Sequence, residues 1–158
     1  IRPFNWASIN SGNKFDIILG NPPYVKTEDL HLLETSEEIS IYKQKYKKVV
    51  RKQFDKYFLF VERALKLLNT ECVLEYIVPN KFWKIDAGEN IRAYLSNKIA
   101  KIDDFGSLQL FSGKTIYSSI IKCINNSENC EYAVVDKTPE QLWAGKVNSY
   151  TIIPCSTL

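Results

Sequence analysis

Phe15-Asp16-Ile17-Ile18-Leu19-Gly20-Asn21-Pro22-Pro23-Tyr24 is the stretch from which the rest of the chain can be read. Phe15 to Leu19 is a short apolar run bounded by a glycine and two prolines, which predicts a buried strand stopping where the prolines begin. Pro22 and Pro23 have no N–H, so the backbone cannot donate there, and each holds the residue before it in extended geometry. Asn21 adds an amide oxygen to the carbonyls that precede the proline nitrogens. The predicted product is a rigid, acceptor-rich turn with an aromatic ring, Tyr24, at its exit. Asn and Pro are also ordinary turn residues, so a plain strand-ending turn is the alternative.

Such a turn suits a delocalised amine. The lone pair of an aromatic amine or a carboxamide is spread into its π system, so the nitrogen needs polarising before it can attack an electrophilic methyl group. Two acceptors, a side-chain amide oxygen and a main-chain carbonyl, can each take one amine hydrogen and favour the pyramidal, nucleophilic form. A ring beside them can stack on a base, which is worth about 1–3 kcal/mol.

Downstream, residues 54–68 carry apolar side chains at helical spacing, with Phe58, Val61, Leu65 and Leu68 on one face. Cys72–Val78 reads as a buried strand running into Pro79-Asn80-Lys81-Phe82-Trp83, and Gly88–Lys98 as a helix with Ile91, Tyr94 and Leu95 on one side. Lys101–Phe105 and Ser118–Ile124 complete the set as strands. The alternation predicts an α/β domain with a largely parallel sheet. The link through Phe111 and Lys114 is too short for a crossover helix, so the last two strands should be antiparallel neighbours. The catalytic turn would lie at the carboxyl end of its strand, where open α/β sheets bind ligands.

The opening decapeptide resembles the catalytic motif of amino-methyltransferases that use S-adenosylmethionine, most of all the DNA-adenine enzymes. Protein-glutamine methyltransferases acting on release factors share the tetrapeptide. The strand ending in Val78-Pro79-Asn80-Lys81-Phe82 and the opening Pro3-Phe4-Asn5-Trp6 are similar to the type IIG restriction-modification group, and nearly the whole chain is covered. The resemblance implies a Rossmann-like methyltransferase fold, the C-terminal half of its sheet with an antiparallel last strand. It implies methyl transfer from S-adenosylmethionine to N6 of adenine in DNA, within a restriction-modification or related phage-defence system. Asn21, Pro22, Pro23 and Tyr24 would form the catalytic turn, with Asn21 and the Pro22 carbonyl on the amine and next to the cofactor. Tyr24 would stack on a flipped adenine of double-stranded DNA, and Phe111 would pack on its other face. Tyr117 competes with Phe111 for that place, and core packing is open for either. Phe58 would lie near the cofactor adenine, or simply in the core.

No glycine-rich loop closes a strand ahead of Phe15, and the chain has only six glycines and no Met. Residues 1–158 are therefore expected to be part of a methyltransferase catalytic domain, with the main cofactor loop and the target recognition domain elsewhere in a parent protein. The chain alone should bind cofactor weakly and be inactive. A catalytically silent nucleic-acid-binding module within a larger defence protein is the rival of another class.

Composition sets the outer bounds. One hundred and fifty-eight residues with 45% hydrophobic and 13% aromatic content can bury one small core, and a net charge of +3 is too weak to identify a nucleic-acid partner. Between the turn and the first helix, Lys43, Lys45, Lys47, Lys48, Arg51 and Lys52 interleave with Tyr42 and Tyr46. These are candidate DNA-phosphate contacts, or a solvated helical face opposed by Glu34, Glu37 and Glu38. The four cysteines show no metal-ligand spacing, and Cys72 and Cys123 read as buried thiols in a reducing cytoplasm. His31 stands without a partner ligand or nucleophile at a recognisable spacing. No signal peptide or bilayer-spanning run is evident, so no membrane role is expected.

Overall fold

The computed structural model describes residues 13–51, 53–111, 116–138, 140–141, 144 and 149–155. The Pro3-Phe4-Asn5-Trp6 segment, Lys52 and Lys114 lie outside these. Strand β1 (Phe15–Gly20) leads through the proline turn into the short helices α1 (Thr27–Leu33) and α2 (Ser36–Lys45), and α3 (Lys56–Leu67) returns the chain to β2 (Leu68–Pro79). Two 3-10 turns, Asn80–Trp83 and Asp86–Gly88, precede α4 (Glu89–Leu95). Strands β3 (Ile99–Gln109), β4 (Tyr117–Cys123), β5 (Asn129–Val134) and β6 (Thr151–Pro154) follow.

These strands form one sheet in the order β1-β2-β4-β3-β5-β6. β1 pairs with β2, and β3 with β5, in parallel; β4 lies antiparallel between β2 and β3, as expected. Two expectations need correcting. Residues 118–124 do not form the last strand, because β5 and β6 extend the sheet, and the antiparallel β5–β6 pair makes it mixed rather than largely parallel. Nor is β1 buried: no described strand pairs with its outer edge, and Ile17 and Leu19 are each 67% exposed. An apolar run cannot by itself tell a central strand from an edge strand.

The amphipathic helix α3 builds the core. Tyr57, Phe58, Val61, Ala64 and Leu65 share its buried side, while Arg63 and Lys66 face solvent. Each fully buried large apolar side chain contributes about 1.5–3 kcal/mol. Its first turn is tied down twice: Lys56 pairs with Glu34, which also accepts from the Tyr42 hydroxyl at 2.9 Å, and Lys56 N donates to Val25 O at 2.8 Å. Thr35 and Glu38 form a capping box that starts α2. Between the 3-10 turns and α4, Gly88 is required by close approach, since a Cβ there would sit 2.0 Å from the Phe82 carbonyl oxygen. Among the described residues no helix is long and apolar enough to cross a membrane.

The register fixes the site. Leu19 lies opposite Glu75 and Gly20 opposite Tyr76, so the turn after β1 and the turn after β2 stand side by side at the carboxyl ends of two parallel strands.

Candidate active site

At the end of β1, Pro22 is buried while Asn21 and Pro23 are exposed. The Tyr24 hydroxyl lies 2.5 Å from Asn21 Oδ1, to which it donates, and 2.8 Å from the carbonyl oxygen of Ile77 on β2. Burial pushes the Tyr24 phenol up to about 12, so it keeps its proton at neutral pH. The ring meets Tyr57 edge-on with centroids 6.1 Å apart, and Tyr57 in turn packs edge-on to Phe58 and Phe82. Just past Tyr24, Phe54 N donates to Thr27 Oγ1 at 2.7 Å, and Lys26 bridges Asp55 in the backbone. The start of α3 is thereby stitched to the exit of the turn.

Beside the turn opens a cavity of about 540 Å³ whose aromatic walls are Tyr24, Phe54, Phe58 and Tyr117. Its polar lining includes Lys26, Asp55 and Lys81. Asp55 occupies the N-cap position of α3 yet accepts no capping hydrogen bond from the helix. Burial raises its carboxyl, an effect that Lys26 and Lys81 oppose and Asp29 and Glu28 reinforce. An aromatic slot with a carboxyl whose acceptor sites are not used by the helix fits a planar ring bearing amine hydrogens.

The neighbouring turn after β2 uses an asparagine in the opposite sense. Asn80 is 6% exposed, and its amide donates to Asp104 Oδ1 at 2.8 Å and to the Gly106 carbonyl at 3.1 Å. Asp104, 4% exposed, also accepts from Gly106 N at 3.0 Å and the Tyr132 hydroxyl at 3.2 Å. Gly106 has φ +54°, the left-handed region glycine tolerates. This network fastens the second turn to β3 and β5.

Tyr24 lines the cavity and its hydroxyl meets Asn21, whereas Asn21 and Pro22 are not among the lining residues. Phe58 is a core residue that also forms part of the cavity wall. Phe111 is half-buried and Tyr117 is the one of the two that lines the cavity. The basic stretch stands apart from the cavity lining: Lys43 and Lys45 end α2, Lys47 and Arg51 are exposed, and Lys48 sits over the Tyr94 ring at 5.5 Å, shared with Lys98 at 5.0 Å. His31 is exposed in the last turn of α1, and no metal-ligand cluster occurs among the described residues. Cys123, Cys130 and Cys155 are buried free thiols, whereas Cys72, expected to be buried, is partly exposed with Sγ 3.5 Å from an Asp16 oxygen. It lies opposite the open β1 edge strand rather than under a helix.

Sequence reasoning passed over Lys26, Asp55 and Lys81. Lys81 stands inside a motif already singled out, and Asp55 sits where an N-cap aspartate is so ordinary that it carries no functional signal. For an S-adenosyl cofactor the described residues supply a wall, Phe58 with the aromatic slot, but no glycine-rich turn. The acceptor side is the part these residues fit.

The family model described as Eco57I restriction-modification methylase matches residues 1–111. The type II restriction enzyme and methyltransferase RM.Eco57I of Escherichia coli is 39% identical over 154 residues, covering 96% of this chain and 15% of that protein. Among solved structures, a Listeria monocytogenes protein assigned to the class I S-adenosylmethionine-dependent methyltransferases superposes with TM-score 0.53 at 15% identity, over 80% of this chain and 34% of that one. The DrdV–DNA complex superposes with TM-score 0.60 at 16% identity, over 82% of this chain and 15% of that one. These likenesses show the methyltransferase fold.

Proposed function

Because the chain belongs to the Eco57I restriction-modification methylase family, we propose that it holds the acceptor base for methyl transfer to the exocyclic N6 amine of adenine in DNA. The observation that carries this reading is that Tyr24, whose hydroxyl reaches Asn21 Oδ1, also walls the aromatic cavity at the carboxyl end of β1. Asn21 Oδ1 and the Pro22 carbonyl each take one amine hydrogen, which concentrates the lone pair on nitrogen. Tyr24 stacks on the extruded base, with Tyr117 or Phe111 on its other face. S-adenosylmethionine, when bound, would supply an electrophilic methyl group: the nitrogen, held by Asn21 and the Pro22 carbonyl, would form the N–C bond as the C–S bond breaks and S-adenosylhomocysteine leaves. The nitrogen then gives up its proton to water.

The chain spans about 15% of its Escherichia coli relative, so cofactor loop, target recognition and any nuclease are proposed to belong to a longer parent protein. Lys26 and Lys81 stand at the cavity, and Lys43, Lys45, Lys47, Lys48, Arg51 and Lys52 remain candidate phosphate contacts farther along the chain. The test is transfer of labelled methyl from S-adenosylmethionine by the full-length protein to adenine-containing DNA, beside Asn21→Ala. Label at N6 that disappears with the variant is expected. Label in protein and none in DNA, or undiminished transfer by the variant, would sink the reading.

A further inference from the structure

The two prolines of the turn create a vacancy in the sheet. Leu19 pairs with Glu75 and Gly20 with Tyr76, so one further step of the parallel ladder would set Asn21 opposite Ile77. The residues that follow on that strand, Pro22 and Pro23, have no N–H to give to the Ile77 carbonyl. A carbonyl left without a donor at a strand end costs about as much as a lost hydrogen bond. In its place comes a side-chain donor, the Tyr24 hydroxyl, at 2.8 Å. The same hydroxyl stands 2.5 Å from Asn21 Oδ1, so its single proton is shared between the two acceptors.

Asn21 itself is exposed, and an amide on an open turn rotates about a broad, two-fold torsion. Only one face of that rotation is useful, because an amide NH₂ turned toward an amine sets donor against donor. A hydroxyl proton on Oδ1 fixes the oxygen's direction and occupies one lone pair, leaving the other for the substrate amine. We infer that the Tyr24 hydroxyl is a positioning group: it shares its one proton between the Ile77 carbonyl, which the prolines leave without a backbone donor, and Asn21 Oδ1, and so holds the Asn21 amide with its oxygen toward the acceptor amine. Stacking is the work of the ring, and orientation is the work of the oxygen. The inference rests on the methyl-transfer reading above.

Tyr24→Phe separates the two. In the full-length protein it keeps the ring and loses the hydroxyl, so kcat should fall roughly 10-fold, the worth of one neutral hydrogen bond, while KM for DNA stays within about twofold. Tyr24→Ala, which removes the ring as well, should also raise KM. Crystal structures of the wild-type and Tyr24→Phe proteins supply a second readout: one Asn21 amide orientation in the former, more than one or a displaced one in the latter. An unchanged kcat in Tyr24→Phe, or an Asn21 side chain identically ordered in both crystals, would overturn the inference. A wild-type protein that methylates no DNA would instead overturn the function proposed above, and the crystallographic comparison would still decide this one.

Discussion

Two asparagines stand beside prolines at the ends of neighbouring parallel strands, and they are used in opposite ways. Asn80 is buried, and its amide hydrogens are spent on Asp104 and Gly106. Asn21 is exposed, held by a single hydroxyl, with acceptor capacity to spare. One turn has its polar groups consumed by the fold; the other leaves acceptor capacity open, as the proposed acceptor site requires. A residue type and its neighbour do not decide between structure and function, whereas the direction of its hydrogen bonds does.

Breaking each asparagine should therefore give different losses. Asn21→Ala is expected to lower kcat by about 10²–10³, the cost of removing one preorganised acceptor-side group, with thermal stability unchanged. Steady-state methylation kinetics and a melting curve on the same preparation check both halves. Asn80→Ala leaves the buried Asp104 carboxylate and the Gly106 carbonyl each short of a donor, and should cost about 3 kcal/mol in stability, read by chemical denaturation. If Asn80→Ala melts normally and only slows turnover, the contrast between the two turns fails.

A finer version of the contrast lies in two carboxyls flanking the first turn of α3. The hydrogen bond from Lys56 holds Glu34 below its ordinary value of 4.5, so Glu34 stabilises the fold above that value and the contribution is lost as pH falls through the lowered one. Asp55 is raised above 3.8 by burial, so its ionisation opposes folding, a cost absent in acid and complete once pH has passed the raised value. Glu34→Gln should melt below wild type at neutral pH, and Asp55→Asn above it, with both gaps closing in acid. Matching signs in pH-dependent melting would refute the division between a structural and a ligand-facing carboxyl. The smallest effect belongs to Tyr57, whose buried hydroxyl has no hydrogen-bond partner among the described residues: Tyr57→Phe should be neutral or stabilising by up to about 1 kcal/mol in denaturant unfolding.

The first strand, its turn, α3 and the antiparallel fit of β4 were legible because each has a dense local signal: paired prolines, a 3.6-residue apolar stripe, a link too short for a helix. α1 and α2 bury only Leu30 and Ile39 respectively, so they leave almost no periodicity to read. β5 is six residues begun by Asn129 and interrupted by Glu131, with its buried positions at Cys130 and Ala133 rather than in a strict alternation, and β6 is four residues ending in proline, which hides both. Within the site, the acceptor role proposed for Asn21 and Pro22 rests on what each residue type offers, an amide oxygen and a main-chain carbonyl. The Tyr24–Ile77 contact joins residues 53 apart in sequence, and Asp55 acquires its character only from the cavity around it. Such features are made by tertiary approach and have no local pattern.

The buried sulfurs described earlier also make the molecule its own stopwatch. Cys123 and Cys130 are fully enclosed, and Cys155 hands its S–H to the Ile99 carbonyl at 3.1 Å, while burial lifts all three away from the reactive thiolate form. Partly exposed Cys72 is the one thiol an alkylating reagent can meet without opening the sheet. One modification arriving early and three arriving late would time how often the β3–β6 side comes apart, with no engineered label.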